Sequence, residues 1–353
     1  MTKKFGIKQM PTTQHQIEDF HFQNDFGLEA QLPSNVTKWS CENITKEELK
    51  KELFEVAHAV NPLIEQHYEW MKQAKGSLLE EVLGDQPIYN ISQSLDKIRQ
   101  LTVKSSQINL VRRCLALLCI DLKMDVQNTA LLTSLYTDLC FTDEKILPEA
   151  RKSNAVSFYS FCLLQNDRKR IRLHYVYPSS GNVQQDQFPH DHYGHASSIL
   201  LYGSLVNQFF SVHEEELNPE YSLYKLTRDG KRRAKKRFVH MNDVSLKLIG
   251  NHCYKAGQQY FLPSAVDFEA ELAGGDVQFD SMMFHQIGTN QPTVTLFCME
   301  IPQSEMSTVC TFPVGTEKVI ERGYTYNETL SIEEATDLVI NLNEKILHAL
   351  SEL

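Results

Sequence analysis

The chain has 353 residues, 42% of them hydrophobic and 23% charged, and its 45 Asp and Glu outnumber 35 Lys and Arg to leave a net charge of −10. This is the composition of a globular protein long enough to bury its own core, which excludes collagen-like, disordered and disulfide-scaffold classes. The acidic balance argues against a general nucleic-acid or anionic-membrane surface, since either needs a basic one.

Residues 1 to about 40 are polar and irregular, with no apolar stretch behind the early lysines, so no signal peptide is expected. The longest purely apolar run, Cys114 to Ile120, is far too short to cross a bilayer. Thr45 and Glu48 form a capping box that opens a helix with Leu49, Leu53, Val56 and Val60 on one face. Asn61-Pro62 can end that helix and begin the next. Gly76 and Gly84 bracket a short helix, Leu78 to Leu83, and Ser105 to Leu122 reads as the most buried helix. After residue 155 the pattern turns to period two with glycine punctuation. Eight segments read as strands: VSFYSFCLL, RIRLHYVY, SILLYGSLVNQFF, YSLYKL, VSLKLI, QQYFL, SMMFHQI and TVTLFCMEI. So many short strands suggest an antiparallel jelly roll. Ser331 and Glu334 cap a last helix with an apolar stripe through Ala335, Val339, Leu342 and Ile346. The fold class expected is therefore α+β: an all-α N-terminal domain over 1–150, a β jelly-roll barrel over 151–325, and a C-terminal helix over 326–353. Eight cysteines (Cys41, Cys114, Cys119, Cys140, Cys162, Cys253, Cys298 and Cys310) are scattered without a CxxC pair, as reduced thiols in a cytoplasmic protein would be.

The chemical signal lies in the histidines. His190 and His192 stand at i and i+2, so on a strand both project from one face toward one ion. Ala196 follows after a gap of three residues, and Gly203 after six more. This arrangement resembles the first motif of metal-binding cupins, with alanine where they usually carry glutamate. HDHYG followed by LLYGSL is similar to the thiol dioxygenases: cysteine dioxygenase, cysteamine dioxygenase and the plant cysteine oxidases. These also lack the glutamate and hold iron with three histidines. The resemblance covers the barrel at most, about residues 155 to 320, and leaves the helical half unexplained. It implies a third ligand from a distant strand. His285, in Asp280-Ser281-Met282-Met283-Phe284-His285, matches the D-S-x-x-x-H run of cysteine dioxygenase. His252, in Gly250-Asn251-His252-Cys253, is the competitor, in a segment where VSLKLI is expected to enter a turn.

Imidazoles suit iron, copper, nickel and zinc alike. Three facial histidines leave up to three positions open on an octahedral ion, enough for a bidentate substrate and dioxygen on Fe(II). The resemblance thus implies an Fe(II)-dependent dioxygenase acting on a small thiol, amino acid or other small acid. A divalent-metal isomerase or lyase that does not use O2, and a ligand-sensing cupin, stay open beside it. Two departures separate this chain from cysteine dioxygenase. Thr295, Phe297 and Met299 occupy the places of its Ser-His-Tyr arrangement, and the thioether cross-link cannot form at Ala196. Arg170 and Arg172 alternate with Ile171 and Leu173 and share a face with His174. They are either a substrate-binding cation, with Arg172 in that role, or outward-facing charges on an edge strand. His195 is either a second donor behind the metal or a loop residue facing water. The basic run from Arg228 to Arg237 reads as a solvated hairpin, a patch for an anion, or a cover over the barrel mouth.

Overall fold

A computed structural model of the protein describes residues 43–60, 78–100, 106–122, 126–141, 149–153, 158–165, 169–177, 189–192, 194–213, 218–227, 237–262, 283–300, 308–315 and 327–352. The polar first 40 residues, the Asn61-Pro62 stop, Asp280-Ser281 and the basic residues Arg228 to Lys236 lie outside them.

Six helices are described: α1 (Lys46–Val60), α2 (Leu78–Leu83), α3 (Ile91–Gln100), α4 (Ser106–Leu122), α5 (Val126–Phe141) and α6 (Ile332–Glu352). The two capping boxes form as the spacing predicts. The Thr45 amide donates to Glu48 at 3.2 Å and the Glu48 amide to Thr45 Oγ1 at 3.3 Å, with Ser331 and Glu334 repeating the exchange at the start of α6. The stretch expected to be wholly helical also carries two strands, β1 (Asn43–Thr45) and β2 (Ile88–Asn90), paired antiparallel. Each has three residues, too few for alternation to show in the sequence.

Two larger antiparallel sheets follow. The seven-stranded sheet runs β10 (Gln259–Leu262), β6 (Ala196–Tyr202), β12 (Thr293–Glu300), β5 (Lys169–Val176), β4 (Phe158–Gln165), β3 (Glu149–Ser153) and β14 (Asn327–Thr329). The five-stranded sheet runs β11 (Met283–Gly288), β7 (Ser204–His213), β9 (Arg237–Lys255), β8 (Tyr221–Thr227) and β13 (Thr308–Pro313). The strands β3, β13 and β14 were not expected. The apolar run SILLYGSLVNQFF is two strands in different sheets, parted at Gly203. There φ is +82°, and a Cβ would stand 2.5 Å from the Pro292 carbonyl oxygen, so only glycine fits. VSLKLI does not enter a turn: it is the middle of β9, whose first half pairs with β8 and whose second half pairs with β7 through Lys255.

The sheets face each other and curl into a half-barrel. Val176, Ala196, Leu200, Tyr260, Leu262, Phe297 and Met299 from one sheet share a core with Leu205, Phe209, Tyr254 and Ile287 from the other. Strand periodicity then assigns the faces. On β5, Val176, His174, Arg172 and Arg170 point inward, while Leu173 and Ile171 point outward and are fully buried. Helices cover that outer face. α1 packs on β4 and α5 and α6 pack on β6. Lys169 at the start of β5 pairs with Asp121 of α4 at 2.8 Å. Asn343 of α6 accepts hydrogen bonds from Ser134 and Thr137 of α5. Among the described residues no helix is long and apolar enough to cross a membrane.

Candidate metal centre

The segment Pro189–His192 is too short to form a strand of its own, yet it is pinned on both sides. The His190 amide donates to the His285 carbonyl at 3.0 Å and the His285 amide returns to His190 at 2.9 Å. On the other side the Asp191 amide donates to the Val309 carbonyl, and Asp191 Oδ1 accepts from the Val309 amide at 2.6 Å. The segment thus joins β11 to β13, the two edges of the five-stranded sheet. Asp191 turns away from the interior to make this tie, so His190 and His192 turn inward together.

His285 meets them from β11. One ring nitrogen from each of the three lies within 4.8 Å of the others, and this is the group of side chains among the described residues that could share one ion. The Nε2 atoms of His192 and His285 are 2.8 Å apart. Burial holds the imidazoles of His192 and His285 well below their ordinary pKa. The charge of His190 adds to this in both, with His174 and Arg172 contributing at His192 and His192 itself at His285. Both rings are therefore neutral, as a metal ligand must be.

Asn207 on β7 completes the ligand on the far side. It is fully buried, and its Oδ1 accepts from His285 Nδ1 at 3.0 Å. An amide oxygen can only accept, so the ring proton sits on Nδ1 and Nε2 presents its lone pair to the site. Sequence reasoning missed Asn207. It pairs across the sheet with Ile287, one diagonal step from His285, and only the strand register brings it there.

The other candidates are placed differently. His252 sits exposed on β9 against Phe209, with ring centroids 5.8 Å apart, and stays outside the histidine group. The His195 ring stacks on Phe261 at 5.5 Å. Phe261 alternates with the inward-facing Tyr260 and Leu262, so His195 lies across the sheet from the three ligands. Arg172 is on a central strand, between β12 and β4, and faces inward opposite Phe297. The edge-strand, outward reading of the arginines is therefore corrected. His174 faces inward beside Arg172. Its ring lies 4.8 Å from Phe158 and 5.1 Å from Phe297, and Phe297 in turn lies 5.5 Å from His192. Burial, then the charge of Arg172, lowers the His174 pKa to about 3.

No protein-family model matches the sequence, and no curated protein matches it. Solved structures do. A hydroquinone 1,2-dioxygenase, PnpCD in complex with Cd2+ and 4-hydroxybenzonitrile, is 12% identical over 41% of this chain and 64% of its own, with a TM-score of 0.22. The DMSP lyase DddQ from Ruegeria pomeroyi DSS-3 is 14% identical over 45% and 54%, with a TM-score of 0.23. FeII HppE in complex with substrate is 10% identical over 69% and 99%, with a TM-score of 0.25. The chain thus spans less than two thirds of the length of the first two. Superpositions this loose fix neither a reaction nor a substrate.

Proposed function

We propose that the chain is a cytoplasmic non-haem iron oxygenase in which His190, His192 and His285 hold Fe(II). It would oxidise a small chelating substrate with O2 and without 2-oxoglutarate, in chemistry most like that of a thiol dioxygenase. The observation that carries the reading is the gathering of one ring nitrogen from each of His190, His192 and His285 within 4.8 Å, and the sequence supports it with alanine at position 196, where the motif it resembles usually carries a ligand carboxylate. An Fe(II) ion held there keeps its full charge and supplies Lewis acidity and a place to activate O2. The chain's own residues do the rest. Asn207 keeps the His285 proton on Nδ1. Phe297 sets an apolar ring 5.5 Å from that of His192. Arg172 places a cation on the same inner wall. The described cysteines are all free thiols, which fits a reducing compartment.

The test is an oxygen-electrode experiment on iron-loaded protein, offered cysteine and cysteamine first and then larger thiols and small hydroxy or amino acids. Uptake is expected with Fe(II) and substrate alone. Uptake that required 2-oxoglutarate, or turnover that ran equally well without oxygen, would overturn the proposal.

A further inference from the structure

His174 has no place in the metal group, yet it is held as firmly as a ligand. Its ring sits between those of Phe158 and Phe297, and on the neighbouring strands it pairs with Ser160 and Thr295. It cannot leave the interior without breaking both aromatic contacts. Its Nε2 is nevertheless sealed from solvent and has no hydrogen-bond partner among the described residues. A buried ring nitrogen without a partner is costly, and such a group in a folded protein calls for an explanation. The position of the ring supplies one. Phe297 is its neighbour on one side and the neighbour of His192 on the other. Arg172, two residues along β5, faces the same interior. With its proton on Nε2 the imidazole would offer a donor on the same wall as the guanidinium, beside the histidine group, and that pair is the recognition chemistry of an oxyanion.

We propose that His174 Nε2 and the Arg172 guanidinium form a subsite for an anionic oxygen group of the substrate, beside the metal rather than on it. The substrate is then an oxyanion, a carboxylate in the simplest case, that carries a second donor atom for the ion. Only that second donor rests on the iron reading above. The subsite itself stands on β5 and exists without the ion.

Saturation-transfer NMR tests it, with acetate as the probe and acetamide as its neutral counterpart, on full-length protein with and without zinc. Wild type should prefer acetate in both forms. His174→Phe keeps the aromatic stack and should narrow the preference about tenfold, the worth of one hydrogen bond to a charged group. His174→Gln keeps a donor and should recover part of it. Arg172→Met should narrow the preference as well, which covers the case of a His174→Phe protein that does not fold. Wild type without a preference for acetate, or a folded His174→Phe or Arg172→Met protein with the wild-type preference, would overturn the subsite. Zinc content measured on the same samples keeps the two ideas apart. Wild type that takes up no zinc refutes the metal centre, while the metal-free titration still decides the subsite.

Discussion

Asn207 offers the sharpest test of how the site is built, because one substitution should separate metal affinity from stability. Asn207→Leu keeps the approximate volume and removes both the acceptor for His285 Nδ1–H and an amide nitrogen, Nδ2, that is buried without a partner. For folding these effects oppose each other. The lost hydrogen bond and the newly orphaned Nδ1–H cost on the order of 1–3 kcal/mol, and removing an orphaned amide donor returns a similar amount. For the metal nothing offsets the loss. Without Asn207 the His285 proton is free to move to Nε2, where it blocks the lone pair the ion needs. Substituting the group behind a ligand histidine weakens metal binding by about 10–100-fold, roughly 1.4–2.8 kcal/mol. Competition against a chromophoric chelator would read the affinity, and urea unfolding of metal-free protein the stability. Asn207→Asp, which keeps an acceptor and adds charge, should bind at least as tightly as wild type. If Asn207→Leu bound metal with wild-type affinity, the tautomer argument would fail.

Three further outcomes follow from the same geometry. His192→Ala and His285→Ala should each lose the single equivalent of divalent ion, while His252→Ala keeps it; the reverse for His285 and His252, read by elemental analysis, would displace His285 from the site. The His174 ring, held at about 3 against 6.5 in the open chain, makes the unfolded state bind more protons through that window. Its contribution is therefore complete above the unfolded pKa and is lost as pH falls, so the melting temperature of metal-free wild type should drop more steeply from about pH 7 to about pH 5 than that of His174→Phe; parallel curves would count against it. Gly203→Ala forces a side chain into a positive-φ corner against the Pro292 carbonyl and the Thr293 hydroxyl, and should cost about 2–4 kcal/mol in urea unfolding. An unchanged midpoint would mean that the corner between β6 and β7 can move.

What could be read from the sequence followed the range of the physics behind it. The capping boxes of α1 and α6 are local, three residues from donor to acceptor, and both formed. The pairing of His190 with His192 is also local, since two residues on an extended chain must share a face. His285 could be singled out only through its likeness to a known motif, because its partners lie more than ninety residues away. His174 and Asn207 were invisible for a related reason. Alternation says that Arg172 and His174 share a face but not which face is inside, and that depends on β5 lying between β4 and β12. Asn207 becomes a partner of His285 only through the register of β7 on β11. The strand β13 is six residues long, and it matters because it ties down Asp191, a contact spanning well over a hundred residues.

The division of faces also explains why a site this polar can be held in place. An interior with three clustered histidines, an asparagine, His174 and Arg172 gains less from burial than an apolar one would, and each polar group left without a partner adds a cost. The outer face of the same strands compensates. Ile171, Leu173, Ile199 and Leu296 alternate with the inner-face residues, and each is entirely buried on the helix-covered side. Each such side chain is worth about 1.5–3 kcal/mol when fully buried. On β5 the two tasks occupy alternate positions: Ile171 and Leu173 are wholly buried on the outer face, while Arg172 and His174 face the interior. A one-residue slip of β5 would exchange the two sets, placing the charges under the helices and the aliphatic groups at the metal. The helical layer is therefore part of the site. By holding β4 and β6 on either side of β5 and β12 it fixes which residues reach the histidines, so damage to the buried outer side, Leu173→Ala for example, should loosen the inner wall of β5 before it reaches His285 on β11.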